Sequence, residues 1–353
     1  MMAKNHPVFA RMGFQIGLFS ALFGFQTNVA GAIETPQADR SQDFYKGKTV
    51  TIVVGYTPGG GYDMNARLLS RHIGRYISNK PNIVVSNMPG AAGISSIQYV
   101  NQSAPKDGTY ILTFNFGHIT DARLGTSSVK LDFTKYNWIG SISQDLAVCL
   151  IWNAIGVNSM EQAKAHKGLH FGLTAAGSSS HVNTKILKNV FKLPINQVAG
   201  YPGSAEQRLA VERGELDGQC NPWSSTPVEW INGHKFYTMM KFTPVNVPDL
   251  PRDVPYAVDI APSKGDAEVI KLLTSAAQLG RPFVMPLGVP NDRLALIRTA
   301  FDQTMADPEF LRDAAAGRMD VSPLNAAESL AIVKAINDAS DSVAAVAKKV
   351  LED

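Results

Sequence analysis

From Lys48 onward the chain switches repeatedly between two hydrophobic periods. TVTIVVGY (49–56) is a nearly unbroken β-branched run, a strand pattern, and YDMNARLLSRHIGRYI (62–77) then takes helical spacing, with Met64, Leu68, Leu69, Ile73, Tyr76 and Ile77 as its apolar positions. NIVVSN (82–87) predicts a second strand, PGAAGISSIQYVNQS (89–103) a turn into a second helix, and TYILTFNF (109–116) a third strand. The order strand, helix, strand, helix, strand implies a parallel sheet covered by helices.

An irregular segment around residues 120–140 follows, and then the alternation resumes. LAVCLIWN (146–153), LHFGLTA (169–175), INQVAGY (195–201) and LDGQCN (216–221) predict strands. Between them NSMEQAKAHK (158–167), with Asn158 or Ser159 as cap, SSSHVNTKILKNVF (178–191) and SAEQRLAVERG (204–214) predict helices. In the last of these Ser204 and Gln207 have capping-box spacing and Gly214 is a natural stop. An α/β design is therefore written twice. The proline-rich FTPVNVPDLPRDVPY (242–256) suits neither a helix nor a central strand and predicts a crossing or surface segment. Beyond it lie a short strand in RPFVMPLGVP (281–290) and helical patterns over 291–306, 308–316 and 326–351, whose apolar stripes need an earlier layer to pack on.

The beginning of the chain has a different pattern. Lys4, His6 and Arg11 precede the apolar MGFQIGLFSALFGF (12–25), and Ala30-Gly31-Ala32 follows. The run is short for a bilayer span, and the order is that of a secretory signal peptide over residues 1–32, cleaved near Ala32. The full sequence of 353 residues carries 33 Lys+Arg against 30 Asp+Glu, a formal charge of +3. Residues 1–32 take away Lys4 and Arg11 and no acid, which leaves 31 against 30 and a charge of +1. That balance offers no electrostatic footprint for nucleic acid or an anionic membrane. Cys149 and Cys220 are either a disulfide, in an oxidising compartment, or two buried thiols.

The loop TPGGGYD (Thr57 to Asp63) follows a strand and opens a helix, the context of an anion site. It matches no nucleotide fingerprint: the third fingerprint position is Met64, and there is no Gly-Lys-Ser/Thr triplet. GLTAAGSSSH (172–181) repeats the arrangement in the second half, with small residues from Ala175 to Ser180. Small side chains let a ligand approach the backbone amides, and the hydroxyls add donors and acceptors. Neither loop holds Lys or Arg, the nearest being Arg67 and Lys185, so an anion here would be held by amides and hydroxyls more than by full charges. Four to six such bonds shared by both loops, at about 1.5–3 kcal/mol each, suffice for micromolar binding at about −8 kcal/mol. Each loop also has a plain structural reading: TPGGGYD as a tight turn with Asp63 as helix N-cap, and Ser178-Ser179-Ser180 as a capping run.

Catalytic patterns are weak. The nucleophile elbow G-x-S-x-G is broken by His181, and Ser180 and His181, as sequence neighbours, are poorly arranged as nucleophile and base. His166 and His170 are four apart, but Gly168 lies between them and His170 begins a strand, so no shared metal-binding face is expected. Trp152, Trp223 and Trp230 could line a pocket, but aromatic residues are more often core, and spacing alone does not decide between the two.

Six segments in order, VTIVVGYTPGGGYDMNARLL, VVSNMPGAAGI, SAPKDGTYIL, FGLTAAGSSSHVNTKIL, VAGYPGSAEQRLAVERGELDG and VPDLPRDVP, resemble the substrate-binding proteins of tripartite tricarboxylate transporters, the TctC or Bug family. The resemblance implies an α/β, two-lobed periplasmic binding protein of type II, a flytrap with its ligand cleft between two α/β domains. It places lobe 1 over 44–145 and 245–353 and lobe 2 over 146–244. It implies a monomer that binds a small organic carboxylate, a di- or tricarboxylate or an aromatic acid, and delivers it to a two-subunit membrane permease, with no enzyme activity and no cofactor. A sensor subunit for a signalling system is the alternative, and a secreted hydrolase a more remote one. The grip carried over by the resemblance comprises Tyr56, Thr57, Pro58, Gly59, Gly60 and Asp63 from the first loop and Thr174, Gly177, Ser178, Ser179, Ser180 and His181 from the second. Asn115 and Phe116 close one side, and the turn at Asn221 and Pro222 lies near the ligand's far end; Tyr201 faces the cleft by analogy to strand ends in open sheets. Met88 stands where the family commonly has arginine, QCNPW where it has a more acidic turn, and FNFGH where it has small residues. Phe114 or Phe116 with Trp223 would favour a longer or aromatic acid.

Overall fold

The computed structural model describes residues 43–352 apart from 175, 176, 202 and 248, so the expected signal peptide over 1–32 lies outside the described residues. In chain order the elements are β1 (Thr49–Val54), α1 (Gly61–His72), β2 (Asn82–Asn87), α2 (Ile94–Gln102), β3 (Tyr110–Thr113), α3 (Gly117–Leu124), β4 (Asn137–Ser141), β5 (Ala147–Trp152), α4 (Met160–Ala165) and β6 (Leu169–Gly172). They continue as α5 (Ser179–Asn189), β7 (Ile195–Val198), α6 (Ser204–Glu212), β8 (Gly218–Pro222), α7 (Val228–Asn232), β9 (Phe236–Lys241), α8 (Lys264–Thr274), β10 (Pro282–Met285), α9 (Asn291–Met305), α10 (Pro308–Ala316), β11 (Leu324–Asn325), α11 (Ala326–Asn337) and α12 (Asp341–Glu352).

The strands form two sheets, one ordered β11-β4-β10-β3-β1-β2 and the other β7-β6-β8-β5-β9. In the first, β1 runs parallel to β2 and β3, while β10 is antiparallel to β3 and β4. In the second, β6 is parallel to β7 and β8, and β5 is antiparallel to β8 and β9. Alternation along β1 explains how the first sheet is covered on both faces. Val50, Ile52 and Val54 share a core with Leu68 and Leu69 of α1 and with Phe301 of α9. Val53 points the other way, into a core with Ile94, Ile97 and Val100 of α2. This second core continues through Leu273 of α8 and Ala347 of α12 to Cys149, Phe171 and Ile186 of the second sheet and its helix. Asn189 of α5 also donates to the Val350 carbonyl at 2.8 Å, so the last helix is tied to the second domain.

Several elements differ from the sequence reading. The residues around 120–140 are not irregular throughout: they contain α3 and β4, whose apolar positions are too few to show a period. Helix α8 and strand β9, which flank the proline-rich crossing, are likewise additions. The pattern over 326–351 is two helices, α11 and α12, broken at 338–340. The box expected from Ser204 and Gln207 does not form; Gly203 is the N-cap and the Gln207 side chain turns inward instead. At α4 the cap is Ser159, whose hydroxyl accepts from the Gln162 amide. Cys149 and Cys220, directly opposed on β5 and β8, form a disulfide.

Candidate functional site

Strand β1 lies between β3 and β2, and β6 between β7 and β8. The loops that follow β1 and β6 therefore leave the carboxyl ends of interior strands, where open α/β sheets place their ligands. Gly55, at the end of β1, needs its missing side chain, because a Cβ there would lie 2.7 Å from the Ser96 hydroxyl. Gly59, at φ +86°, then turns the chain into α1.

Asp63 is not the N-cap expected of it. Gly60 holds that position without a side-chain bond, and Asp63 sits in the first turn with its carboxylate reaching back to the Gly59 amide at 2.8 Å. The same carboxylate accepts from Arg67 Nε and Asn87 Nδ2, each at 2.9 Å. Burial alone would raise its pKa, but the bonds from Arg67, Gly59 and Asn87 outweigh it and hold the group below the usual range. Asp63 and Arg67 thus stiffen the loop and are occupied in doing so. The first intrahelical bond of α1 runs from Met64 to Gly60, so the amides of Gly61, Tyr62 and Asp63 have no acceptor within the helix.

Tyr62 stacks on Tyr56 at 5.1 Å between centroids, and the Arg281 guanidinium covers the Tyr62 ring at 4.9 Å. Desolvation by burial pushes the phenol of Tyr62 well above its ordinary pKa, and that of Tyr56 upward too. Arg281, just before β10, adds a full positive charge beside a loop at which the sequence reading looks to amides and hydroxyls more than to charges. A Cβ on Gly61 would come within 3.0 Å of its Nη2. Its Nη1 donates to the Gly280 carbonyl at 2.6 Å, while its Nε is buried with no partner among the described residues. No signal in the local sequence ties residue 281 to residue 61, because the antiparallel insertion of β10 beside β3 makes the contact.

The second loop spends its donors on itself. Ser178 caps α5, its hydroxyl accepting from the His181 amide at 3.3 Å. Ser180 accepts from the Thr174 amide at 3.2 Å and lies within bonding distance of the Thr174 and Ser178 hydroxyls. The Gly177 amide donates to His181 Nδ1 at 3.2 Å. Desolvation, then the charge of Lys185, lowers the His181 pKa, which suits a neutral ring accepting at Nδ1. Ser179 faces out of this network and donates to Asp145 Oδ2 at 3.1 Å.

The sequence-selected residues are brought together in part. Phe116, Gly177 and Ser179 line one small cavity of about 40 Å³ where the two domains meet. Asn115 accepts from the Gly117 amide at 2.8 Å and bonds Tyr56. Thr57, Pro58, Gly59 and Gly60 are exposed. Tyr201 packs against Gly172, and Asn221, 5% exposed, donates to the side-chain oxygens of Gln207 and Gln219 in a buried amide triad. Phe114 is wholly buried, stacked on Phe133, and belongs to the core and not to a ligand wall.

A larger cavity of about 410 Å³ lies between the start of α1 and the segments joining the domains. Its walls include Gly61, Asn65, Gln144, Asp145, Trp223 and Arg281. Of the TPGGGYD loop only Gly61 lines it, and it is within the size range of small-molecule sites. Among the described residues no group of His, Cys, Asp and Glu is arranged to hold a metal ion.

No protein-family model matches the sequence. A UPF0065 protein from the TAR-I ttuE-ttuC' intergenic region of Agrobacterium vitis is 24% identical over 230 residues, covering 62% of this chain and 63% of that protein. Protein BugT of Bordetella pertussis is 26% identical over 195 residues, covering 54% of this chain and 56% of BugT. The chain thus spans somewhat under two thirds of the length of the curated relatives it matches. Among solved structures, a TctC solute binding protein from Polaromonas superposes with a TM-score of 0.67 at 16% identity, over 87% of this chain and 99% of that one. An R. palustris protein solved with adipate gives 0.62 at 19% identity over 85% and 97%, and MatC from Rhodopseudomonas palustris with bound malate gives 0.57 at 17% over 86% and 99%. The chain is a distant homologue of the UPF0065 and Bug proteins and has the two-domain α/β fold of periplasmic binding proteins.

Proposed function

We propose that the protein is a periplasmic solute-binding receptor of the tripartite tricarboxylate type, which takes a small organic carboxylate between its two domains and passes it to a two-subunit membrane permease. The observation that carries this reading is Arg281. Its guanidinium stands beside the first turn of α1, whose leading amides have no acceptor within the helix, at the wall of a cavity large enough for a small acid. The malate and adipate held by the two R. palustris proteins of like fold support the ligand class.

Binding without turnover is part of the proposal. Ser179 donates to Asp145 and His181 Nδ1 receives the Gly177 amide, which argues against a serine–histidine nucleophile pair. Closure of one domain on the other over the ligand follows as a shift of population toward the closed form.

The test is calorimetry and thermal melting of the mature chain with malate, adipate, citrate, glutamate and benzoate. Saturable one-to-one binding with a raised melting midpoint is the expected result, since a ligand that prefers the native state stabilises it. No heat and no shift at millimolar concentration with every acid would refute it.

A further inference from the structure

A third cavity, of about 480 Å³, lies at the edge of the second sheet and shares no residue with the loops after β1 and β6. Strand β9 is the outermost strand there and has β5 on one side only. On its other side the proline-rich crossing is bonded to its backbone at Lys241, whose amide donates to the Pro255 carbonyl at 2.9 Å and whose carbonyl accepts from the Ala257 amide at 2.9 Å. Earlier in the strand, Phe236, Tyr237 and Thr238 face the cavity, and the crossing from Pro251 to Pro255 forms the opposite wall. Trp223 and Asp249 also line it, and both line the 410 Å³ cavity as well, so they stand between the two.

The walls combine aromatic rings with uncommitted carboxylates. Phe236 and Trp223 meet edge to face at 6.1 Å between ring centroids. Asp249 and Asp253 are exposed, and among the described residues neither carboxylate takes part in an ion pair or a hydrogen bond. No lysine or arginine is among the described residues on the walls, although Arg252 adjoins Asp253 in sequence. Free carboxylates favour a cation, and the electron-rich faces of the rings favour the same charge. The apolar remainder, which includes Ile231 and Val254, favours a cation with a hydrocarbon body over a bare metal ion.

We infer that this cavity is a second binding site, for a small organic ammonium whose charged head lies beside Asp249 and Asp253 and whose apolar body packs on Trp223 and Phe236. The inference does not depend on what the first cavity holds. An added peptide strand is the other occupant that an open sheet edge invites. Only three residues of β9 face the cavity, however, and Pro251 and Pro255 have no amide hydrogen to offer from the opposite wall.

The test is calorimetry of the full mature chain with phenethylamine and with its neutral counterpart, 2-phenylethanol. The amine should bind saturably and at least tenfold more tightly than the alcohol. Asp253→Asn alters an exposed residue outside the first cavity. It should lower the amine affinity at least fivefold while leaving that of the alcohol, and the melting midpoint of the free protein, unchanged. The comparison of amine with alcohol in the unaltered protein stands whatever the variant does. Equal affinities for the two, no saturation by the amine at millimolar concentration, or an amine affinity untouched by Asp253→Asn overturns the inference. Saturation by an extended lysine-bearing peptide with no response to the amine overturns it in favour of strand addition at β9.

Discussion

The loops after β1 and β6 look alike in sequence and behave differently in three dimensions. Both follow an apolar strand, both are built of small residues, and both open a helix. In the first, Asp63 and Asn87 brace the backbone, and the leading amides of α1, which have no acceptor within the helix, lie beside Arg281. In the second, Ser178, Ser180 and His181 take up the nearby amides, and only Ser179 turns toward the other domain. A small-residue loop is therefore an opportunity for anion binding and not a guarantee of it. What decides is whether the side chains within the loop satisfy its own amides.

The comparison breaks most directly at Arg281. Arg281→Ala removes the guanidinium that lies beside the first loop and is not spent on bracing it, and is expected to weaken carboxylate binding about 100-fold, from a charge-assisted bond of about 1.5–3 kcal/mol, as read by calorimetry. An affinity within threefold of the unaltered protein would mean that the first loop has no special claim on the ligand.

The second loop is expected to respond in stability. Ser180→Ala leaves the Thr174 amide without its acceptor and should cost about 1–2 kcal/mol in denaturant unfolding. Unchanged stability with an affinity loss equal to that of Arg281→Ala would erase the distinction between the loops.

The smallest effect is a pH slope. Folding lowers the His181 pKa, so the unfolded chain binds that proton more readily. The contribution of the neutral ring is complete above about pH 6.5 and is lost as pH falls through that value toward the folded pKa. His181→Gln should flatten this part of the stability curve between pH 7 and 5.5, and an unchanged slope would show that the ring does not hold the loop in its neutral form.

How far the sequence could be read follows from the range of each interaction. The strand of Thr49–Val54, the helix behind it and the Ser178 cap depend on neighbours within a few positions, and their pattern is visible in the chain. The roles of Asp63 and Gln207 were obscured because residues that suit one local cap bond elsewhere: Asp63 to Asn87, Gln207 to Asn221. Arg281 and Asp145 were invisible as a pair because 136 positions separate their numbers in the chain and only sheet insertion joins them. Their neighbours carry no motif. The large cavity is no more legible, since its walls combine Gly61 of the first loop with residues 143–146 after β4 and 222–224 at the end of β8, which only the fold brings together.

The position of β10 has a consequence for how the chain comes together. This strand separates β3 from β4, so two strands that follow one another in sequence are not paired, and the gap between them is filled by residues 282–285. The second sheet, by contrast, is complete by residue 241. A growing chain thus holds every strand of its second domain while its first is still open in the middle, and the long loop that must close to seat β10 makes that the slow, non-local step of folding. The domain begun first is finished last.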